Sequence, residues 1–383
     1  MRRHARPRAG AALLGAVLLL PACSGGAGEE ASDGGGGAAA PGGGAEPPQA
    51  TDRLVPPGEP ETVADGLETP WSIAFLPDGS ALVGERDTAR VLRVSPDGGT
   101  EEAGEVDGVS PSGEGGLLGL AVSPDMGEDL EGEVFAYFTS DSDNRIVRMP
   151  FDADGGLGEQ ETVLDGIPSA SFHNGGRIAF GPDGHLYAGT GDAGDTGNAP
   201  DPDSLGGKIL RMTPDGEPAP DDPGGDLVYS SGHRNVQGLA WDQEGALLAT
   251  EFGQDTWDEI NVIEAGGDYG WPETEGTGGG EGVIDPVVTW TTDEASPSGA
   301  AVAEGSLWVA ALRGERLWRV PLTGDPGDPV AEPEALHQGE YGRLRAVAAT
   351  PDGSELWITT SNRDGRGEPR DGDDRILRIP LRG

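Results

Sequence analysis

Apolar residues along this chain fall into short runs that recur in a fixed relation to one turn. The run Ile73-Ala74-Phe75-Leu76 leads into Pro77-Asp78-Gly79, and a later stretch closes with Val91-Leu92-Arg93-Val94. The same order returns at Ile178-Ala179-Phe180-Gly181-Pro182-Asp183-Gly184, closing with Ile209-Leu210-Arg211-Met212. It returns again at Val347-Ala348-Ala349-Thr350-Pro351-Asp352-Gly353, closing with Ile376-Leu377-Arg378-Ile379. Weaker copies begin at Leu118, Gly238 and Gly299, the last two with Glu244-Gly245 and Glu304-Gly305 at the turn. Asp-Gly after proline offers a position for positive φ, and β-rich runs on either side make each unit a hairpin. Helical periodicity is nearly absent. Six copies over roughly 320 residues leave room for about four short strands each, the size of a propeller blade. The pattern therefore predicts an all-β chain: a six-bladed β-propeller of four-stranded antiparallel blades. A pair of β-sandwiches is the alternative, but it gives no reason for one turn type to repeat.

The repeat also locates function. Each Pro-Asp-Gly turn marks one end of a hairpin, so residues flanking the hairpin gather at the other end. His173 precedes Asp183 by ten residues and Asp192 follows it by nine, which places both at one edge of one blade. By the same reasoning Gln237 and Glu251 bracket the turn at Glu244, Arg343 and Arg345 precede the turn at Asp352, and Glu114 stands just ahead of the second copy. Six blades bring all of these to one face, around the central channel.

The N-terminus departs from this pattern. Arg2, Arg3, Arg6 and Arg8 precede an apolar stretch from Ala9 to Leu20, too short for a permanent span, so residues 1–22 read as a signal peptide. It ends Leu20-Pro21-Ala22-Cys23, which resembles a bacterial lipobox, and Cys23 is the sole cysteine and the expected lipidation site. Residues 23–60 are Gly, Ala, Pro and acidic residues, a flexible tether to a domain over 61–383. The expected location is the extracellular face of a bacterial membrane, reached only through the lipid, with secretion as the alternative. Net charge is −43, with Lys208 the only lysine, which argues against nucleic acid and against anionic lipid held by charge.

Against so acidic a background, basic and oriented groups stand out. A histidine at a strand entry, paired across its hairpin with Asp192, has the parts of a general base, as readily as of a loop cap. Gly232-His233-Arg234-Asn235-Val236-Gln237 packs ligand-capable side chains directly before a strand. Arg343 and Arg345, two apart, face one side of a strand and can grip one acidic ligand, and Arg313 lies in a loop. The loop Glu251-Phe252-Gly253-Gln254-Asp255 suits a hard cation through carbonyls and carboxylates but lacks EF-hand spacing.

Together with Pro70-Trp71-Ser72-Ile73-Ala74, Gly115-Gly116-Leu117-Leu118-Gly119-Leu120-Ala121, Gly207-Lys208-Ile209-Leu210-Arg211, Asp258-Glu259-Ile260-Asn261 and Tyr269-Gly270-Trp271-Pro272, these stretches resemble the soluble quinoprotein glucose and aldose sugar dehydrogenase family. The resemblance implies a six-bladed propeller, a pyrroloquinoline quinone (PQQ) cofactor and Ca²⁺. It implies oxidation of an aldose at the anomeric carbon to the lactone, with electrons passed to an external acceptor. His173 would take the proton of the sugar's anomeric hydroxyl and Asp192 would hold that histidine. Arg234, Asn235 and Gln237 would line the quinone; Arg313, Arg343 and Arg345 would meet cofactor groups. The carbonyls of Gly253 and Gln254 would hold the metal, and Glu114 stands where better-known members carry a substrate-contacting glutamine. Phe172 replaces an acidic residue found beside the histidine in some members. Long dimer-building loops are not evident, so a monomer is expected. Two alternatives are a calcium-dependent lactonase-type propeller and a carbohydrate-binding propeller without catalysis.

Overall fold

The computed structural model describes residues 56–222 and 224–381. The leader, Cys23 and nearly all of the tether lie outside the described residues. Six sheets follow one another along the chain. The first four are blade 1 (residues 70–105), blade 2 (117–167), blade 3 (178–231) and blade 4 (236–291). Blade 5 covers 297–336, and blade 6 combines 344–380 with the strand Glu61–Ala64. In each the first strand is innermost and the chain steps outwards by antiparallel pairing. Blades 2 and 3 each add a two-residue strand, Gly156–Leu157 and Gly267–Asp268, the latter parallel to its neighbour. The helical content of the described residues is one 3-10 turn, Thr196–Asn198.

The six inner strands touch in sequence and close a ring, the last against the first. Closure is also staggered by strand pairing: Glu61–Ala64 pairs with Ile376–Pro380, so the outermost strand of blade 6 comes from the opposite end of the chain. A ring whose last sheet mixes both ends cannot open by fraying at one of them. Gly58 already donates to the Pro380 carbonyl at 2.6 Å, so the end of the sequence-predicted tether is held to that blade.

Core packing follows the repeat. Six apolar clusters occupy the six interfaces between neighbouring blades, for example Leu82, Leu117 and Phe138 between blades 1 and 2. Each blade is twisted and too thin to bury both faces alone, so its side chains complete the core only against the next blade. The Pro-Asp-Gly turns then lie together at one end of the channel, and the strand entries lie at the other.

Candidate active site

The strand entries carry the chemistry. His173 Nδ1 lies 2.7 Å from Asp192 Oδ1, across the hairpin formed by Ile178–Phe180 and Leu186–Gly189. Asp192 is buried and accepts two more hydrogen bonds, from the Trp271 indole at 2.9 Å and from the Gly194 N–H at 2.7 Å. Burial alone would raise its pKa, but the bonds from His173, Gly194 and Trp271 outweigh it and hold the carboxyl below the usual range. An ionised carboxylate only accepts, so Nδ1 carries the hydrogen, and in the neutral ring the lone pair is on Nε2. No residue described here hydrogen-bonds to that Nε2.

The histidine's backbone is fixed as tightly as its ring. His173 has φ +58°, a left-handed conformation that is strained for a non-glycine residue. Its N–H donates to Glu114 Oε2 at 3.1 Å and its carbonyl accepts from Ala193 N–H at 3.1 Å. Gly191 runs so close beneath that a Cβ there would stand 1.9 Å from the His173 carbonyl oxygen. Glu114 Oε1 meets Arg366 at 2.7 Å, so both its oxygens are engaged. Its burial opposes ionisation, yet Arg366 and the His173 N–H win and lower its pKa. Phe172, 43 % exposed, sets its ring edge-on to the imidazole at 4.7 Å between centroids.

Blade 4 supplies the next group. His233 is fully buried, bonded through Nδ1 to Glu251 Oε2 at 2.8 Å and through Nε2 to Ser230 Oγ at 2.8 Å. The other Glu251 oxygen accepts the Arg234 N–H, which aims the Arg234 side chain past Trp271, 5.5 Å from its ring centroid. Arg234 Nη1 reaches the Phe252 carbonyl at 3.0 Å while Nε, buried, has no partner. Burial pulls this guanidinium's pKa down against the opposing pull of Asp192 and Glu251. Asn235 Oδ1 accepts from Gly175 N–H at 2.9 Å and its buried Nδ2 is likewise unpaired.

Blade 6 closes the set. Arg345 Nη1 donates to Gln237 Oε1 at 2.8 Å, and that oxygen also accepts from Ser298 Oγ at 3.1 Å. Arg343 and Arg345 do share a side, as their spacing requires, and the acid between them is Asp364, at 2.9 and 3.7 Å. Arg177, not singled out by the sequence, is buried with its Cζ 4.3 Å from the centre of the Trp71 ring, while Arg345 lies 5.8 Å from it. Arg177 Nε donates to the Gln237 carbonyl at 2.9 Å and Nη2 has no partner. An arginine directly after two glycines in an inner strand entry was the only signal available for it.

Two sequence-predicted groups sit further out. Arg313 is exposed on blade 5 and pairs with Asp293. Gly253 and Gln254 turn their N–H groups towards Asp258 and Glu275, at 2.9 and 2.7 Å. Glu275 Oε1 accepts from four consecutive amides, Gln254 to Trp257, and so fixes the loop. Asp258 bridges it to the Ser296 N–H, and burial pushes its pKa up to about 6. No group of three or more His, Cys, Asp or Glu able to hold a metal converges among the described residues.

With this geometry in place, comparison with known proteins is decisive. The Glucose / Sorbosone dehydrogenase family profile matches residues 67–377. The chain belongs to that family. It is 28% identical to the aldose sugar dehydrogenase YliI of Escherichia coli (strain K12) over 349 residues, 80% of this chain and 90% of that one. It is 30% identical to quinoprotein glucose dehydrogenase B of Acinetobacter calcoaceticus over 251 residues, which spans 56% of this chain and about half (52%) of the relative. Among solved structures, the PQQ-bound aldose sugar dehydrogenase of Streptomyces coelicolor superposes with a TM-score of 0.81 at 60% identity, covering 85% of this chain and 99% of that one. As a member of the glucose/sorbosone dehydrogenase family, the chain is a sugar-dehydrogenase propeller, an oxidoreductase scaffold with the fold that its repeat predicts.

Proposed function

We propose that the protein oxidises an aldose at its anomeric carbon to the lactone with PQQ, passing the electrons to an external acceptor. The observation that carries this reading is the His173–Asp192 pair standing beside buried arginines with unsatisfied donors. Arg234 Nε, Asn235 Nδ2 and Arg177 Nη2 are buried without partners. Such a donor-rich, partly unpaired set fits an acceptor-rich polyanion, since unpaired buried donors are costly unless a ligand completes them. PQQ bound there supplies a two-electron acceptor for the anomeric C–H. His173 Nε2 takes the proton of the anomeric hydroxyl, and Asp192 stabilises the imidazolium that results. Arg234 and Asn235 direct donors into the cofactor site, and Arg343 and Arg345 contribute positive charge to its wall. Arg313 would meet the cofactor only by leaving Asp293. Ca²⁺ on the Gly253 and Gln254 carbonyls is part of the proposal, as is a lipid anchor at Cys23 on the outer face of the membrane, beside the acceptor.

The test is reconstitution of the full chain with PQQ and Ca²⁺, followed by dye reduction over a panel of aldoses. Turnover that requires both additions and drops by about 10²–10⁴-fold in His173→Ala supports the reading. Failure of PQQ to bind or to support turnover overturns it in favour of a calcium lactonase or a sugar-binding propeller.

A further inference from the structure

We propose that Lys208, which touches neither the imidazole nor the arginine cluster, is a positioning residue for the His173–Asp192 pair; the inference rests on the proposed reaction. The chain leaves blade 3 at Asp192, makes an excursion through the 3-10 turn Thr196–Asn198, and re-enters at Lys208. The Lys208 side chain is fully buried inside that excursion. Its Nζ donates to three backbone carbonyls, Asn198 at 2.6 Å, Ala199 at 2.9 Å and Gly206 at 2.9 Å. Three carbonyls converging on one point need a cation or three hydrogens, and an ammonium supplies both. A neutral amine offers only two hydrogens and would leave one buried carbonyl unpaired.

The gathered segment bears directly on the catalytic pair. Asn198, whose carbonyl Lys208 holds, donates through Nδ2 to the Asp192 carbonyl at 2.9 Å, and Ser204 Oγ fixes the Asn198 amide at 2.9 Å. Gly207 N–H bonds to the Gly191 carbonyl at 2.9 Å, one residue before Asp192. The Lys208 main chain ties to Thr190 three times: its N–H donates to Thr190 Oγ1 at 2.9 Å, and its carbonyl accepts from Thr190 N–H at 2.8 Å and from Thr190 Oγ1 at 3.1 Å. Residues 190 to 192 are therefore held from below by the strand and from the side by a loop folded around one ammonium. The charged groups facing that ammonium are Asp201 on the excursion and Asp268 beside blade 3, and both favour its proton. Burial works against them and pulls the pKa down to about 8. The excursion should thus loosen as pH rises through that value, because the third hydrogen is lost.

The experiment uses the full chain loaded with PQQ and Ca²⁺. Lys208→Met keeps the apolar stem and removes the charge, and it should lower kcat by about tenfold or more while KM stays within about twofold, as expected when base orientation alone suffers. The wild-type alkaline limb near pH 8 should be absent in this variant. Lys208→Ala should regain part of its kcat in ethylammonium, which can occupy the emptied site. Unchanged kcat and an unchanged alkaline limb in Lys208→Met, or a loss that only follows the unfolded fraction in a melt, would overturn the proposal. A second readout needs no turnover. Because the chain has one lysine, ¹⁵N-lysine labelling gives a single Nζ signal. That signal should titrate near 8 and shift in Asp192→Asn. Titration at the ordinary lysine value of 10.5, with no response to Asp192→Asn, sinks the idea. If wild-type protein lacks aldose oxidation altogether, the proposed reaction fails, and the Nζ signal still decides whether Lys208 is coupled to Asp192.

Discussion

At the turn end, the central channel opens as a cavity of about 520 Å³ ringed by the last residues of the inner strands, Phe75, Val122, Phe180, Trp241, Val302 and Ala349. At the other end, the entries to those same strands present His173, Asn235, Gln237, Arg343 and Arg345 with their carboxylate partners. Both ends use the left-handed backbone, at glycines and at other residues, and they differ in what holds it. Turns at the first end place Gly79, Gly184, Gly245, Gly305 and Gly353 at positive φ, where glycine is unstrained, and Leu130 and Glu304 join them at φ +61° and +47°. Entries at the second end put Thr69, His173 and Ser296 there, at φ +49°, +58° and +50°. Strain of that kind persists only where surroundings over-determine it, and here the surroundings are the hydrogen bonds of the site. One end spends its sequence on making hairpins and the other on holding chemistry in a fixed pose.

The largest effect should come from pressing on that pose. Gly191→Ala puts a methyl group 1.9 Å from the His173 carbonyl oxygen, against backbone that cannot swing aside. Displacement of His173 by even about 1 Å should reduce turnover by 10²-fold or more. Dye reduction by the PQQ-loaded variant reads this directly, and normal turnover would show that His173 tolerates movement. Asp192→Asn is comparably severe, with an expected loss on the order of 10²-fold, because the amide neither fixes the Nδ1–H tautomer nor stabilises imidazolium. The pH dependence has a definite sign. The Asp192 carboxyl lies below its ordinary 3.8 when folded, so its contribution is complete above that value and disappears only as pH falls further. An acid limb for turnover well above 3.8 would therefore belong to a different group.

The contrast between the ends explains what the sequence could disclose. Pro-Asp-Gly turns are local, so six blades, their order and the clustering of His173 with Asp192 follow from counting along the chain. The same counting puts Arg343 and Arg345 on one side. It could not show that the acid between them is Asp364, which comes from a loop beyond the next strand. Trp271 lies 79 residues from Asp192 and meets it only because blade 4 packs beside blade 3. Arg177 stands only four residues after His173, behind two glycines, and the sequence alone does not separate a channel-facing cation there from a surface one. Long-range meetings of this kind are set by blade packing, and one sequence carries no local sign of them.

Core changes sharpen the comparison from the stability side. Leu82 is fully buried between blades 1 and 2, remote from the catalytic pair along the strand order. Leu82→Ala should cost about 2–5 kcal/mol through lost burial and a residual cavity. Turnover per folded molecule should stay unchanged, which chemical denaturation and active-site titration with PQQ measure separately.

The smallest effect is expected from the turn at the far end of the catalytic hairpin itself. Gly184 has φ +78°, and a Cβ there would meet nothing within 4 Å. Gly184→Ala therefore carries only the backbone penalty of a left-handed alanine, about 1 kcal/mol or a shift in melting temperature of about 2 °C. Gly184 and Gly191 lie on opposite ends of one hairpin, so the two alanine variants differ in position and hardly in chemistry. If Gly184→Ala lowers the melting temperature slightly and leaves kcat alone, the hairpin is a rigid support whose turn can be altered without disturbing its catalytic edge. A fall in kcat beyond the unfolded fraction would mean instead that strain at the turn travels along Leu186–Gly189 to Asp192. The two ends would then be one mechanical unit, and the separation of shape from chemistry along this channel would fail.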